Sequence, residues 1–373
     1  MNLFVAESST AVGGQELAVI LHAEGLQKRG HRVRLILEPH SPIAQMAMDK
    51  DLPVTTMTMR KSQYPRAIAS LRTLMAQHRP AILQVNSSRD SWIGAIATRM
   101  LRPRPKLLRI RHISAPLNRN LMTRLLYRRL FDMVVVTGGE KTKRELVERD
   151  GLAADRVAAF PIGLDVNYFR PGAPDDDLRL EFGLPKGHQL VGLVSYLRSY
   201  KGHEYFIEAA RMIVAQRLDV TFVIVGEGPE EQSIRSRIEQ LGLSPRIRML
   251  GFRDDLVNVL RSFDLFAIPS VEGDTIPQVL MQALAVGLPV VSTTVGSIPD
   301  VVIEGETGYV VPPRDAGALA KQIGKLLDDD ALRRRMGLQG RALVERSYSL
   351  DRMLDRMEGV YDRLLHPPGM KTC

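Results

Sequence analysis

Pro-Ser-Val-Glu-Gly-Asp-Thr-Ile-Pro-Gln-Val-Leu-Met-Gln-Ala-Leu-Ala-Val-Gly-Leu-Pro-Val-Val-Ser-Thr-Thr-Val-Gly-Ser-Ile-Pro-Asp, residues 269–300, decides how this chain folds. The stretch follows a short apolar run, Asp264–Ile268, that reads as a buried strand, and it breaks at once into a polar, Gly-containing loop. Thr275 and Gln278 have the spacing of a capping box, and Pro277 falls where a first-turn proline is tolerated, so a helix is predicted from about Thr275. Asp274, Gln278 and Gln282 recur every four residues and share one polar face, while Val279, Leu280, Ala283 and Leu284 form the packed one. Gly287 and Pro289 end the helix, and Leu288–Val291 begins the next strand. A helix that starts in the loop directly after a strand offers unpaired N–H groups to an anion. A diphosphate at the helix end and hydroxyls along its polar side would suit a nucleotide sugar. Periodicity alone leaves an ordinary amphipathic helix with a solvated side equally open.

Outward from this stretch the same strand–loop–helix unit recurs. Towards the N-terminus, Leu190–Ser195, Val220–Val225 and Ile247–Leu250 read as strands, with helices at Glu204–Ala215 and Glu230–Leu241. Beyond the stretch, Asp315–Leu327, Leu332–Arg346 and Leu350–Leu365 read as helices, the last with Leu350, Leu354, Met357, Tyr361 and Leu364 on one side. The first half repeats the pattern. Strands are predicted at Asn2–Glu7, Val33–Leu37, Val54–Met57, Ile82–Val85, Leu107–Ile110 and Met133–Val136, with helices between them, the first over about Gln15–Lys28. Such alternation implies two α/β domains, each a parallel sheet covered on both faces, with ligands at the carboxyl ends of the strands. A Pro/Gly-punctuated linker, Phe160-Pro-Ile-Gly-Leu-Asp165 through Phe169-Arg-Pro-Gly172, separates them.

At 373 residues the chain is long enough for two such cores. No apolar run reaches the length of a membrane span, and the start reads as a strand instead of a signal peptide. The one cysteine, Cys373, excludes an internal disulfide and a thiolate metal cluster and fits the cytoplasm. Charge is unevenly placed. Residues 1–170 hold 27 Lys+Arg against 14 Asp+Glu, whereas the remainder is slightly acidic. That asymmetry points to a polyanionic partner. Residues 102–131 are the most basic stretch, with Leu121, Met122, Leu125, Leu126, Leu130 and Phe131 at helical spacing among the arginines. A basic amphipathic helix of this kind lies on an anionic membrane, or covers a sheet with its Arg face solvated. No interleaved aromatic platform accompanies the arginines, which argues against nucleic acid. Gly226-Glu-Gly228 follows a strand but lacks the full dinucleotide fingerprint, which argues against an NAD site.

Several polar residues fall at predicted strand ends. Gly13-Gly14 follows the first strand and precedes a helix, where glycine amides can approach a phosphate. His112 follows Leu107–Ile110, and Asn86-Ser-Ser-Arg-Asp90 follows Ile82–Val85, where it would line an acceptor pocket. Arg198 and Lys201-Gly202 follow Leu190–Ser195, and two cations there would clamp a diphosphate and neutralise charge as it leaves. His31 sits at a helix-to-strand turn and reads as structural.

These motifs together resemble the retaining glycosyltransferases of family 4, which have the GT-B fold. The family signature is an acid, seven residues, a Glu, then Ala and a small-residue helix ending in Gly-x-Pro-Val-Val. Here Asp274 and Gln282 stand at the two acidic positions, and Ala283, Gly287, Pro289, Val290 and Val291 complete the pattern. Both acids depart from the usual Glu. Gly13-Gly14-Gln-Glu16, Leu26-x-x-Arg29-Gly30-His31, Lys201-Gly202, Gly296-Ser-Ile-Pro-Asp300 and Gly305-Glu-Thr-Gly also resemble the family. Arg198 lies only three residues before Lys201, where family members place it five or six before.

The resemblance implies two Rossmann-like doubly wound domains facing a cleft, an acceptor-side domain over 1–165 and a nucleotide-sugar domain over 173–348. The terminal helix, 349–366, would cross back to the first domain. It implies metal-independent transfer of a sugar, without a cofactor, from a nucleotide-diphosphate donor to a glycan or glycolipid, as in bacterial lipopolysaccharide synthesis. Catalytic roles fall on Asp274, His112, Arg198 and Lys201. Donor contacts fall on Gly13, Gly14, Arg253, Ile276, Pro277, Gln278 and Gln282, with Arg253 in the loop that meets the base largely through backbone. A cytoplasmic enzyme, peripheral on the inner face of the membrane through its basic first domain, is the implied setting. A nucleotide-sugar epimerase on the same fold and an inactive nucleotide-sugar-binding protein stay open.

Overall fold

The computed structural model describes residues 1–10, 13–112, 117–118 and 120–366. Arg119 of the basic stretch and the tail beyond His366, Cys373 included, lie outside the described residues. Two compact units emerge, one from Met1 to Gly163 together with the chain from Leu350 onward, the other from Leu164 to Ser349.

The first unit is a seven-stranded sheet of β1 (Asn2–Glu7), β2 (Arg32–Leu37), β3 (Val54–Thr56), β4 (Ile82–Val85), β5 (Lys106–Arg111), β6 (Met133–Val136) and β7 (Val157–Ala159). Its order is β3-β2-β1-β4-β5-β6-β7, every pair parallel. Alternate residues enter opposite cores because strand side chains alternate in direction. Leu3, Val5, Leu35 and Leu37 face the helix Gly14–Lys28, and Phe4, Ala6, Ile36 and Leu83 face the other layer. Both sides are buried, as in an all-parallel sheet with helices on each face.

The helix Leu350–Leu365 completes the first core with Leu354, Met357 and Tyr361, each at most 2% exposed. Burying side chains of this size contributes about 1.5–3 kcal/mol apiece. Polar contacts fix its register. Arg29 bonds Asp351, Asp355 and Glu358, His31 Nε2 lies 2.7 Å from Glu358 Oε1, and the Tyr361 hydroxyl donates to Gln84 Oε1 at 2.9 Å.

The second unit is a six-stranded parallel sheet of β8 (Gln189–Val194), β9 (Val220–Val225), β10 (Ile247–Met249), β11 (Leu265–Ile268), β12 (Val290–Thr293) and β13 (Gly308–Val311), ordered β10-β9-β8-β11-β12-β13. Its start falls inside the stretch read as linker: Leu164 and Phe169 are buried, and Arg341 donates to the carbonyls of Val166 and Phe169. These are two Rossmann-like domains, the GT-B fold. In each sheet the order reverses once, between β1 and β4 and between β8 and β11. Such switch points leave a crevice at the carboxyl ends where open α/β sheets bind ligands.

Three local differences from the sequence pattern have physical causes. The helix after β11 spans Gln278–Ala285, with Pro277 as its cap at ψ 128° and no side-chain cap bond. The residue before a proline is pushed out of the helical region, so Thr275 and Ile276 stay in the loop and no capping box forms. Asp274 therefore leaves the helical face it was expected to share with Gln278 and Gln282. The edge strands β7 and β13 are not among the predicted strands, β7 because it is three residues long and β13 because it opens on Gly308. The segment over 121–130 is an α-turn, Leu121–Leu125, continued as a π-helix, Leu126–Leu130, with Leu121, Met122 and Leu125 exposed and Leu126 buried.

Candidate functional site

The switch point of the second unit is built from the loops after β8 and β11. The Val271 N–H donates to the Tyr200 carbonyl at 2.8 Å, tying one loop to the other. Gly202 makes their approach possible. Its φ is +75°, and a Cβ there would lie 1.9 Å from the Pro269 carbonyl oxygen. Across this contact Lys201 Nζ donates to Asp274 Oδ1 at 2.6 Å, and the two side chains are 12% and 11% exposed. Ser270 Oγ donates to Asp274 Oδ2. Thr293, at the end of β12, holds the Ser270 carbonyl at 2.6 Å. Gly296 closes the far side of the loop, where a Cβ would lie 2.0 Å from the Asp274 carbonyl oxygen, and the Ser297 N–H donates to the Thr275 carbonyl.

The other expected residues of this unit divide. Gln278 opens the helix and Gln282 follows one turn later, both half-buried, with Ile276 and Pro277 buried before them. Arg198 stands exposed with its guanidinium 5.0 Å from the Tyr196 ring centroid, and its carbonyl accepts from the Lys201 N–H at 3.0 Å. Arg253 is held by Asp255 of its own loop through two 2.8 Å bonds and by Glu181 of the helix Leu178–Glu181 at 3.1 Å, so its side chain is committed to those two carboxylates. Ser270 has no place in the sequence motifs; only its position just past a strand end signals it. His203 Nε2 lies 2.9 Å from Ser195 Oγ behind the β8 loop, and burial lowers its pKa to about 4.

The switch point of the first unit holds a buried polar cluster. Glu7, which ends β1, is 0% exposed and accepts from Ser87 Oγ at 2.5 Å and Gln15 Nε2 at 2.6 Å. Asp90, 1% exposed, accepts from the Asn86 and Ser87 amides at 2.8 and 2.9 Å. Burial, reinforced by Glu7, raises the Asp90 pKa to about 7 against the pull of Arg109 and the two amides. Burial likewise raises Glu7, with the Ser87, Gln15 and Ser9 bonds opposing. A Glu closing an otherwise apolar strand is the sequence signal for this cluster.

His112 stands directly after β5 with Nε2 3.5 Å from Asn86 Oδ1, and its Nδ1 is buried without a hydrogen-bond partner among the described residues. Burial, with His22 and Arg109 nearby, holds its pKa well below the usual value, so the ring is neutral near pH 7. Gly13 caps the helix that Gly14 opens, with no side chain taking the cap position. A helix N-terminus leaves its first-turn amides without intrahelical partners. Among the described residues no group of three His, Cys, Asp or Glu is arranged to hold a metal ion.

Two family models match successive parts of the chain, one described as Glycosyltransferase Family 4 over residues 12–168, the other as Glycosyl transferases group 1 over residues 175–343. The chain belongs to glycosyltransferase family 4. It is 30% identical over 184 residues to N-acetyl-alpha-D-glucosaminyl L-malate synthase of Bacillus anthracis, covering 49% of this chain and 48% of that protein. It is 33% identical over 213 residues to a GDP-mannose-dependent monoacylated alpha-(1-6)-phosphatidylinositol monomannoside mannosyltransferase of Corynebacterium glutamicum, covering 54% and 55%. The match thus spans about half the length of these curated relatives. Among solved structures, HepE of Anabaena in complex with UDP superposes with a TM-score of 0.84 at 22% identity, covering 96% of this chain and 99% of that one. At that identity the likeness concerns the fold.

Proposed function

We infer that the chain is a retaining glycosyltransferase that moves a sugar from a nucleotide-diphosphate donor to a glycan or glycolipid hydroxyl in the bacterial cell envelope. The observation that carries this reading is the Lys201–Asp274 pair, set at the switch point of the second sheet by loops that carry the family motif. The pair presents a fixed ammonium where a diphosphate would leave, and preorganised charge of this kind stabilises a leaving group without a metal ion. In the reaction the bond from the anomeric carbon to the diphosphate breaks as a bond to the acceptor oxygen forms on the same face. The acceptor proton passes to the departing phosphate, so no protein base is needed.

Within the second unit Asp274 would position the donor sugar, Gln282 would bond the ribose, and the amides of Ile276–Gln278 would take the phosphates. Arg198 would reach the diphosphate only by leaving the Tyr196 ring, and Arg253 would offer backbone alone. In the first unit the Gly13–Gly14 amides and the neutral His112 are assigned to the donor, and the Asn86–Asp90 loop to the acceptor. A glycolipid acceptor is consistent with the printed name of the mannosyltransferase relative. The exposed Leu121, Met122 and Leu125 beside Arg124 and Arg128 support peripheral contact with an anionic membrane at its cytoplasmic face. Among the described residues no helix is long and apolar enough to cross one.

A thermal-shift panel of UDP-, GDP-, ADP- and dTDP-sugars, each with and without a chelator, tests the reading. A donor at 100 times its dissociation constant stabilises by about 2.7 kcal/mol, a shift that is readily measured. One chelator-insensitive hit, followed by transfer to an acceptor, is the expected result. Release of an epimer without acceptor would replace transfer by epimerisation. No shift from any donor would overturn the reading.

A further inference from the structure

A cavity of about 880 Å³ opens at the far end of the first unit's sheet from the residues described above. Lys106, Met133 and Val157, the first residues of β5, β6 and β7, line it, whereas Ser8, Ser87 and His112 follow strand ends on the other side. Six residues of β5 span about 20 Å, so a ligand in the cavity is remote from the switch point. Eight Lys or Arg side chains line the cavity against three carboxylates.

Those cations do two different things. Arg99 and Arg156 brace the wall by donating to backbone carbonyls over Arg128–Asp132, Arg104 is held by Asp132 through two 2.8 Å bonds, and Lys143 lies 3.6 Å from the Glu140 carboxylate. Lys106, Arg129, Arg356 and Arg363, by contrast, form no ion pair among the described residues, although all four line the same concavity. Gathering that much like charge in one place is unfavourable unless an anion answers it.

Gly359 adds an independent sign. It lies between Arg356 and Arg363 on the helix Leu350–Leu365, lines the cavity, and a Cβ there would meet nothing within 4 Å. A glycine in a helix interior costs roughly 0.5–1 kcal/mol relative to alanine. Neither a crowded neighbour nor a left-handed backbone requires it at this position. Its missing side chain leaves the cavity lining bare between two arginines.

We propose that this cavity is a second anion site, distinct from the sugar-donor site, that binds a phosphate group carrying two or more negative charges. Guanidinium forks beside an ammonium match phosphate oxygens in both geometry and charge. The volume fits a small ligand or a headgroup. The phosphate reaches the site on a soluble molecule or on a lipid headgroup, and the proposal holds even if the chain transfers no sugar.

Calorimetric titration with inorganic pyrophosphate and flotation with vesicles of phosphatidylcholine and phosphatidic acid, four parts to one, read the two sources separately. Each is run on the full chain and on R356E, R363E, G359W and K201A. The charge reversals are on exposed side chains and keep the fold; unchanged thermal unfolding of each variant confirms it. Binding that weakens at least tenfold in R356E and R363E, is blocked in G359W and persists in K201A supports the proposal. Pyrophosphate binding then identifies a soluble ligand, and vesicle binding alone a headgroup. Binding lost only in K201A, binding unaffected by the arginine variants, or no binding to either probe would overturn it.

Discussion

Lys201 and Asp274 are 73 positions apart in the chain, yet Nζ and Oδ1 sit 2.6 Å apart at the place where the second sheet reverses its strand order. Each side chain limits what the other can do. The carboxylate fixes the ammonium, and the ammonium in turn orients an almost buried carboxylate. Replacing Lys201 by alanine should lower turnover by about a hundred- to a thousand-fold, the usual loss for one preorganised charge. It also removes the ammonium that answers the Asp274 carboxylate and should cost about 2 kcal/mol or more in stability. The K201A/D274A double variant separates the effects. Stability should partly return while turnover does not, as read by denaturant midpoints and initial rates; recovery of turnover would refute the role assigned to the lysine.

Gly202 sets the distance on which that pair depends. Alanine there requires a side chain at φ +75° and a Cβ 1.9 Å from the Pro269 oxygen, so the loops after β8 and β11 must part. G202A should cost about 2 kcal/mol or more. Donor affinity should fall with it, since the lysine moves with its loop. A variant with unchanged melting temperature and donor binding would show that the two loops need not touch.

How much of this was legible in the sequence depended on whether a feature was local. The strands β1, β4, β6 and β9 fall where the apolar runs place them, because a strand buried on both faces is a continuous apolar run. The strand orders are not local, and alternation alone cannot show that β1 pairs with β4 or β8 with β11. At the site, Lys201-Gly202 and Asp274 stand out as motif residues in separate loops, but their pairing arises only from the fold. Thr275 misleads because its capping-box spacing is real, while Pro277 two residues later overrides it. Glu7 and Asp90 are ordinary acids in sequence and become unusual only through burial.

The terminal helix reaches the first unit's strand ends through a chain of polar contacts. The Tyr361 hydroxyl donates to Gln84 Oε1, Gln84 Nε2 lies 3.4 Å from Asn86 Oδ1, and the same oxygen lies 3.5 Å from His112 Nε2. Removing the hydroxyl in Y361F leaves a buried amide oxygen short of its donor and should cost about 1–3 kcal/mol. Equilibrium unfolding in urea measures this directly. A neutral result would mean that Gln84 turns to another partner.

The same unit should carry an unusual pH dependence, because its buried groups titrate in opposite senses. Asp90 has a folded pKa of about 7 against 3.8 unfolded, so the folded chain holds a proton that the unfolded chain has lost. Its contribution is fully present below 3.8 and declines as pH rises through 7, by at most about 1.4 kcal/mol per pH unit. Burial sets that shift, with Glu7 adding to it and Arg109 and the Asn86 and Ser87 amides opposing it. Buried His22 and, in the second unit, His203 behave in the reverse way. Their folded pKa values of about 4 lie below 6.5, so the unfolded chain gains protons first and stability falls as pH drops from 6.5 towards 4. Three buried histidines, His112 included, outweigh the two raised carboxylates, Glu7 and Asp90, and wild-type stability should therefore rise between pH 4 and 6.5. In D90N the opposing proton is gone, and the rise should be steeper. Urea midpoints across that range, for both proteins, decide the matter. Parallel profiles would mean that Asp90 is already ionised in the folded chain, with Arg109 and the two amides outweighing its burial.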